Sequence, residues 1–308
     1  MSFQITEAFV KEFSSNVYML SQQKGSRLRP FVRQETIKGK SKAFDRIGLN
    51  EARDKTTRHE NSPQMDTPHS RRWCFLADKD WGDLIDDLDK IRVLNEPTSE
   101  YVMAAMWGLG RKMDDVIIAA ADATVVTGEE ATGTDAHPNS QKFAANDGTN
   151  FTNLNVNTLI ALKGYFGTAD VDEEIPLHIA VMQSQLNALL HDDQVTSADY
   201  NVVKALVKGE IDTYMGFKFH RLQRLTTQTA ALSGSASTGA VGSGSSLIGK
   251  RKVIAWAQDG IILGIGSDMK SRVAERADKC FSVYAYAAMS IGAVRMENEK
   301  VAIAFCTE

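Results

Sequence analysis

The segment Asn95–Ala123, NEPTSEYVMAAMWGLGRKMDDVIIAAADA, holds the strongest periodic signal in the chain. Val102, Met106, Leu109, Met113, Val116, Ile117 and Ala120 follow one another at spacings of 4, 3, 4, 3, 1 and 3, which puts them on one face of a helix. Asn95-Glu96-Pro97-Thr98 supplies the start. Proline is tolerated in a first helical turn, where its missing N–H is not needed. The spacing predicts a helix over 97–123, roughly 40 Å long at about 1.5 Å per residue. That is long for a globular domain. Gly108 and Gly110 weaken it slightly and mark a candidate close backbone contact.

Upstream, residues 80–93 read as a short amphipathic helix, with Trp81, Leu84, Ile85, Leu88 and Ile91 on one face and Asp83, Asp86, Asp87 and Asp89 outward. Before it, residues 31–47 and 69–76 read as extended, rich in β-formers. Between them, Asn50 to Ser70 is densely polar, with Arg53, Lys55, Arg58, Pro63 and Pro68 and almost nothing to bury. Two extended arms with a polar tip make a long hairpin that has no core of its own. A structureless segment of that length inside a compact domain is disordered or functional. Residues 1–30 carry a short stripe, Phe9, Phe13, Val17 and Leu20, with little local sequence to pack against. Such an arm docks on something else.

Downstream, Thr127 to Asn150 reads as a polar loop, and from Asn155 the pattern is mixed α/β. Helices are expected over 156–167, 186–190 and 199–207, and strands over 176–182, 215–222, 251–257 and 261–265. Residues 233–246 hold ten Gly or Ser and read as a flexible loop. Residues 281–296 are β-prone, Glu297-Asn298-Glu299 turns, and Val301, Ile303 and Phe305 alternate with Ala302 and Ala304. This last piece is expected to be a hairpin with one buried face.

Composition narrows the function. The 308 residues are 43% apolar and 24% charged, with a net charge of −4. That excludes a globally basic nucleic-acid binder and a disordered acidic chain. The charge is split: residues 1–72 hold 14 Lys and Arg against 8 Asp and Glu, a net of +6, and the remainder is −10. The split fits a solvated basic arm, an arm lying across acidic neighbours, or one facing nucleic acid. Three widely spaced cysteines, Cys74, Cys280 and Cys306, do not form a disulfide framework. The first eleven residues lack the apolar core of a secretory leader. No apolar run approaches the roughly 20 residues of a membrane helix.

A search for catalytic chemistry finds no site. Gly264-Ile265-Gly266 lacks the third glycine and the following helix of a dinucleotide fingerprint. No GxxxxGK[ST] phosphate loop occurs, and the six histidines show no HxH or HxxxH spacing. His191-Asp192-Asp193 reads as a cap and turn rather than a metal site. No catalytic residue, cofactor or metal is expected.

The order of parts is basic arm, polar hairpin, long helix, mixed α/β body and closing strands. It resembles the major capsid proteins of tailed bacteriophages, with the α+β Hong Kong 97-like fold. Local strings carry the likeness to one podophage-type branch: Phe13-x-x-Asn16-Val17-x-x-Leu20-x-Gln22-Gln23, Ser26-x-Leu28-Arg29, Arg46-Ile47-Gly48 and Asp66-x-x-His69-Ser70-Arg71-Arg72 in the first half. Tyr200-x-x-Val203-x-x-Leu206-Val207-x-Gly209-Glu210-Ile211, Gly216-Phe217 and Gly292-Ala293-Val294-Arg295 carry it in the second.

The resemblance implies an N-arm over 1–30, an extended loop over 31–79, and a peripheral domain over 80–150 that holds the spine helix. It further implies an axial domain over 151–274 and a return to the peripheral β-sheet over 275–308. The function implied is a coat subunit assembling into pentamers and hexamers of an icosahedral head, in the virion, built in the bacterial host cytoplasm. Implied partners are copies of itself, a separate scaffolding protein, a portal protein, and packaged double-stranded DNA held without sequence-specific binding. A decoration protein is left open, and no membrane is involved. Arg46, Arg53, Arg58, Arg71, Arg72 and Trp73 are the candidate intersubunit contacts, since guanidinium groups can pair with carboxylates on the next subunit. Lys55 is available on the loop, but no crosslink is predicted. Two other readings are an encapsulin-like nanocompartment shell and an α/β enzyme with a hairpin lid.

Overall fold

Runs in which every residue is apolar decide where the central sheet lies. In the computed structural model, residues 21–58, 61–62, 64–85, 98–146, 151–191, 213–229 and 247–307 are described. The chain divides into two compact units. The larger comprises Arg27–Leu76, Asp114–Gly266 and Ile291–Glu308, and the smaller comprises Met1–Ser26, Ala77–Met113 and Ser267–Ser290.

The larger unit is organised on six strands: β7 (Lys142–Ala144), β8 (Leu177–Val181), β9 (Thr213–Tyr214), β10 (Phe217–Arg221), β11 (Arg251–Ala257) and β14 (Val301–Cys306). Their order is β7-β14-β11-β8-β10-β9. β8 and β10 are parallel, and β11 runs antiparallel to both β8 and β14. Every residue of β8 and β14 is buried, as strands covered on both faces require. On one face, Leu177, Ile179, Val181, Val253 and Ala255 pack with Leu159, Leu162 and Phe166 of helix α2 (Val156–Thr168) and with Leu186 and Leu189 of helix α3 (Gln183–Leu190). α2 begins where it does because the Asn155 side chain accepts from the Thr158 N–H at 2.9 Å.

The closing hairpin is a correction. β14 pairs with β11 and β7, with Ile303 opposite both Ile254 and Lys142. It does not lie beside β13 (Ser282–Arg295). Alanines at alternate positions looked like an exposed face, but VAIAFC is apolar throughout, which is the pattern of a central strand.

A second sheet in this unit has the order β2-β3-β5-β6, from β2 (Ser41–Ile47), β3 (His69–Phe75), β5 (Val125–Thr127) and β6 (Gly133–Asp135). β6 and β7 fall in the stretch expected to be loop, and β5 ends on its first residue, Thr127. Strands of three residues are too short to show a period. β1 (Arg33–Thr36) runs parallel to the start of β12 (Ile261–Arg276), Arg33 opposite Ile262.

In the smaller unit the expected helix over 80–93 is also corrected. β4 (Ala77–Ile85) is a strand, and residues 86–93 lie outside the described residues. Lys79 and Trp81 are half-buried while Asp78, Asp80 and Gly82 are exposed. That alternation won over the local helical spacing because β4 has β13 to pair with. β13 alternates as well: Val283, Ala285, Ala287 and Met289 are buried, and Tyr284 and Tyr286 half-buried. β12 is far longer than its apolar start suggested, since Ser271–Arg276 is exposed throughout.

Helix α1 (Thr98–Asp122) is one residue inside each expected end. Leu109, Met113, Ile117 and Ala120 of its stripe are buried. Gly110 meets backbone, since a Cβ there would lie 2.5 Å from the Gly25 carbonyl carbon, whereas Gly108 has only a side-chain end near it. The arm stripe from Phe9 to Leu20, the helix over 199–207 and the Gly/Ser loop over 233–246 lie outside the described residues.

Candidate functional site: the hairpin and its base

β2 and β3 form an antiparallel pair in strict register, from Ser41 opposite Phe75 to Ile47 opposite His69. Beyond it, the Gly48 N–H donates to the Pro68 carbonyl at 2.8 Å and Asn50 Nδ2 to Thr67 Oγ1 at 3.2 Å. Of the described residues between Gly48 and Pro68, only Thr67 is better than exposed. Leu49 is 87% exposed and Ile47 71%. Apolar side chains this open at the end of a hairpin have no partner within their own unit's core.

The base of the hairpin is fixed differently. Arg72 is 1% exposed. Its Nη1 donates to the Arg295 carbonyl at 2.6 Å, and its Nη2 to Asp135 Oδ2 at 2.5 Å and Asn298 Oδ1 at 3.0 Å. Arg295, at the end of β13, is also buried. It donates from Nε to the same Asn298 oxygen at 2.9 Å and from Nη1 to the carbonyls of Ala121 and Ala123 at 2.7 and 3.0 Å. The last carbonyls of α1 have no helical partner, so a buried cation there satisfies them. Asn298 Nδ2 closes the network on Asp135 at 3.0 Å. Burial pushes both guanidinium groups down to about 10, so both remain charged at neutral pH.

The six predicted contact residues therefore separate. Arg72 is buried, with both terminal nitrogens engaged inside its own chain. Trp73 Nε1 donates to the Gly128 carbonyl at 2.8 Å. Arg46 donates to Ser70 Oγ at 3.1 Å and to the Met296 carbonyl at 2.6 Å. Arg71 forks onto Asp45 across the hairpin at 2.5 and 3.2 Å, and holds that carboxyl below its usual range. Arg53, Lys55 and Arg58 are exposed on the tip. Asp135, Arg295 and Asn298 were not anticipated as a set. The one signal was a lone arginine closing the apolar run Gly292-Ala293-Val294.

Among the described residues no other arrangement points to chemistry. Among the described residues, no group of three or more His, Cys, Asp or Glu is placed to hold a metal ion. Burial raises the thiols of Cys74 and Cys306 to about 11 and about 12, the reverse of an activated nucleophile. No helix among the described residues is long and apolar enough to cross a membrane.

A core-less hairpin, one long helix and a mixed α/β unit around a sheet whose strands β8 and β14 are buried throughout define an α+β coat-protein architecture, the Hong Kong 97-like fold. Solved capsids share it. The capsid of cyanophage P-SCSP1u superposes with a TM-score of 0.71 at 14% identity, over 99% of this chain and 94% of that one. The capsid of cyanophage Pam1 gives 0.71 at 14%, over 98% and 97%. That of Helicobacter pylori bacteriophage KHP30 gives 0.71 at 9%, over 99% and 97%. No curated protein matches the chain. The model of the phage capsid protein family matches residues 5–308, and the chain belongs to that family. It is a structural subunit of the phage head shell, and neither the nanocompartment reading nor the enzyme reading is favoured.

Proposed function

We propose that this subunit assembles into pentamers and hexamers of an icosahedral head that encloses double-stranded DNA, and that its β2–β3 hairpin reaches over the adjacent subunit. The observation that carries this reading is the open tip. Leu49, Ile47 and Met65 are exposed apolar side chains interleaved with Arg53 and Arg58. Burial against a second copy supplies what the subunit itself does not. The body receiving the hairpin carries the −10 share of the charge, so the tip guanidiniums meet complementary potential. Single ion pairs of this kind contribute about 0–1 kcal/mol. Symmetry repeats them around a closed shell.

In this reading residues 1–30 wrap a neighbour, α1 is the spine of the peripheral domain, and residues 151–274 form the axial domain on the central sheet that β7 and β14 also join. The subunit performs no catalysis. A separate scaffolding protein and a portal protein take part in assembly in the host cytoplasm, and DNA is enclosed without sequence-specific contacts, in keeping with the net charge of −4. Negative-stain microscopy of the expressed chain, with its scaffold where required, tests the reading. Shells or capsomer rings support it, and a monodisperse small particle under every condition overturns it.

A further inference from the structure

The chain enters the larger unit through a short segment seated on two histidines of the central sheet. His178 on β8 and His220 on β10 lie on the same face, since His178 is opposite Lys218 and His220 opposite Ala180 in the parallel pair. His178 Nδ1 and His220 Nε2 are 2.9 Å apart. Phe31, at the end of the 3₁₀ turn Arg29–Phe31, stacks on His220 with centroids 4.0 Å apart and an interplanar angle of 28°, and lies 5.1 Å from His178. Trp256, opposite His178 on β11, donates from Nε1 to the Phe31 carbonyl at 3.0 Å. On the other side of the turn, the buried Asp114 carboxylate accepts from the N–H groups of Arg27 and Leu28 at 3.1 Å.

We propose that the His178–His220 pair is an acid-sensitive latch: it holds residues 27–32 on the sheet while the two rings share a single N–H between them, and opens when both rings are protonated.

At 2.9 Å only one hydrogen fits between the two nitrogens. Two neutral rings satisfy this, and so does a singly protonated pair. Two imidazolium rings set N–H against N–H, and the rings must separate. His178 is 1% exposed and His220 is under Phe31, so neither ring can move without displacing the Phe31 stack. The surroundings do not accommodate the charge. Lys218 on β10 opposes protonation of both rings, and no carboxylate of the described residues acts on either. Arg27 on the seated segment is turned to the Arg221 carbonyl, Arg29 to Gln34, and Arg221 to Gln183. Asp114 is occupied by the backbone of the segment itself. Burial and Lys218 bring both histidines down to about 4, with the His220 ring adding to the effect on His178, so the latch is closed at neutral pH.

Hydrogen-exchange mass spectrometry on the full-length soluble subunit tests this. Protection factors for peptides spanning 27–34, corrected for the intrinsic rate at each pH, are compared with those of α2 between pH 7 and pH 3.5. The expected result is a loss of at least tenfold over 27–34 with α2 unchanged. His220→Gln keeps a hydrogen-bond partner for His178 without a titrating ring. It is expected to retain protection at pH 7 and abolish the acid loss. Phe31→Ala is expected to leave the segment poorly protected at every pH, which keeps the latch testable if H220Q fails to fold. Three outcomes overturn the proposal: wild-type protection that persists to pH 3.5, loss in step with α2, or an acid loss at 27–34 that survives in H220Q.

Discussion

Arg72 Nη1 donates to the main-chain oxygen of Arg295 at 2.6 Å, so the hairpin base is held by one buried arginine on the backbone of another. Both also donate to Asn298 Oδ1. Replacing Arg72 by methionine keeps the volume of the stem and removes every donor. The Arg295 carbonyl and Asn298 are then left buried with fewer partners. Breaking a buried pair costs about 3–5 kcal/mol. Here Asp135 keeps 35% of its side chain exposed, which lowers the expected cost of R72M to about 2–4 kcal/mol. R72K is expected to fall between, since one ammonium cannot span acceptors that a planar fork reaches. Urea unfolding of the soluble subunit measures both. An unchanged midpoint in R72M would mean that the network contributes nothing net.

Two glycines should respond oppositely to alanine. A Cβ on Gly292 would lie 2.1 Å from the Phe75 carbonyl oxygen and 3.2 Å from Cys74 Sγ. Backbone cannot yield cheaply there, and overpacking of this kind costs about 1–3 kcal/mol. Gly164 is exposed in α2 with nothing within 4 Å of a Cβ, so G164A is expected to gain up to about 1 kcal/mol from helix propensity. Thermal melting of the two variants should move Tm down for G292A and up for G164A. Shifts of the same sign would contradict the packing described.

His137 links stability to pH. It is 4% exposed, its Nε2 lies 3.2 Å from the Val301 carbonyl, and burial with the nearby Arg295 charge brings it down to about 3. The unfolded chain takes up a proton near the ordinary histidine value and the folded chain does not. Stability from this group is therefore complete above about pH 6.5 and is lost as pH falls toward 3, by up to roughly 5 kcal/mol in all. H137Q should flatten the acid limb of a stability-versus-pH curve measured by denaturant unfolding. A wild-type slope in H137Q would assign the limb to other groups.

These positions show what a single sequence makes legible. The stripe from Val102 to Ala120 reports α1 because seven side chains repeat one face. The β2 and β3 arms are visible through their β-formers. β4 is not legible, because Trp81, Leu84 and Ile85 satisfy helical spacing and only pairing beside β13 selects the strand. The Arg72–Asp135–Arg295–Asn298 network was not legible, because it joins residues up to 226 apart in sequence and no local pattern records that meeting. For the same reason Arg72 read as an outward-facing arginine like Arg53. Its burial depends on β5 and β6, which are three residues each.

Deleting residues 50–67 separates folding from assembly. The Gly48 N–H already donates to the Pro68 carbonyl at 2.8 Å, so the cut ends lie side by side and an Asn-Gly turn can join them. The removed stretch belongs to no described strand or helix, and its described residues are exposed apart from the partly covered Thr67. The shortened chain is therefore expected to stay soluble and to melt within a few degrees of the wild type, because surface segments outside the core carry little stability. It should form no shells under conditions where the full chain does, since the tip that would bury Met65 and bring Arg53 and Arg58 against a neighbour is gone. R53E/R58E in the intact loop is the milder version, and should slow or weaken assembly in a salt-dependent way. Particles of normal size from the deletion, counted by negative-stain microscopy and sedimentation, would show that the hairpin tip is not an assembly element.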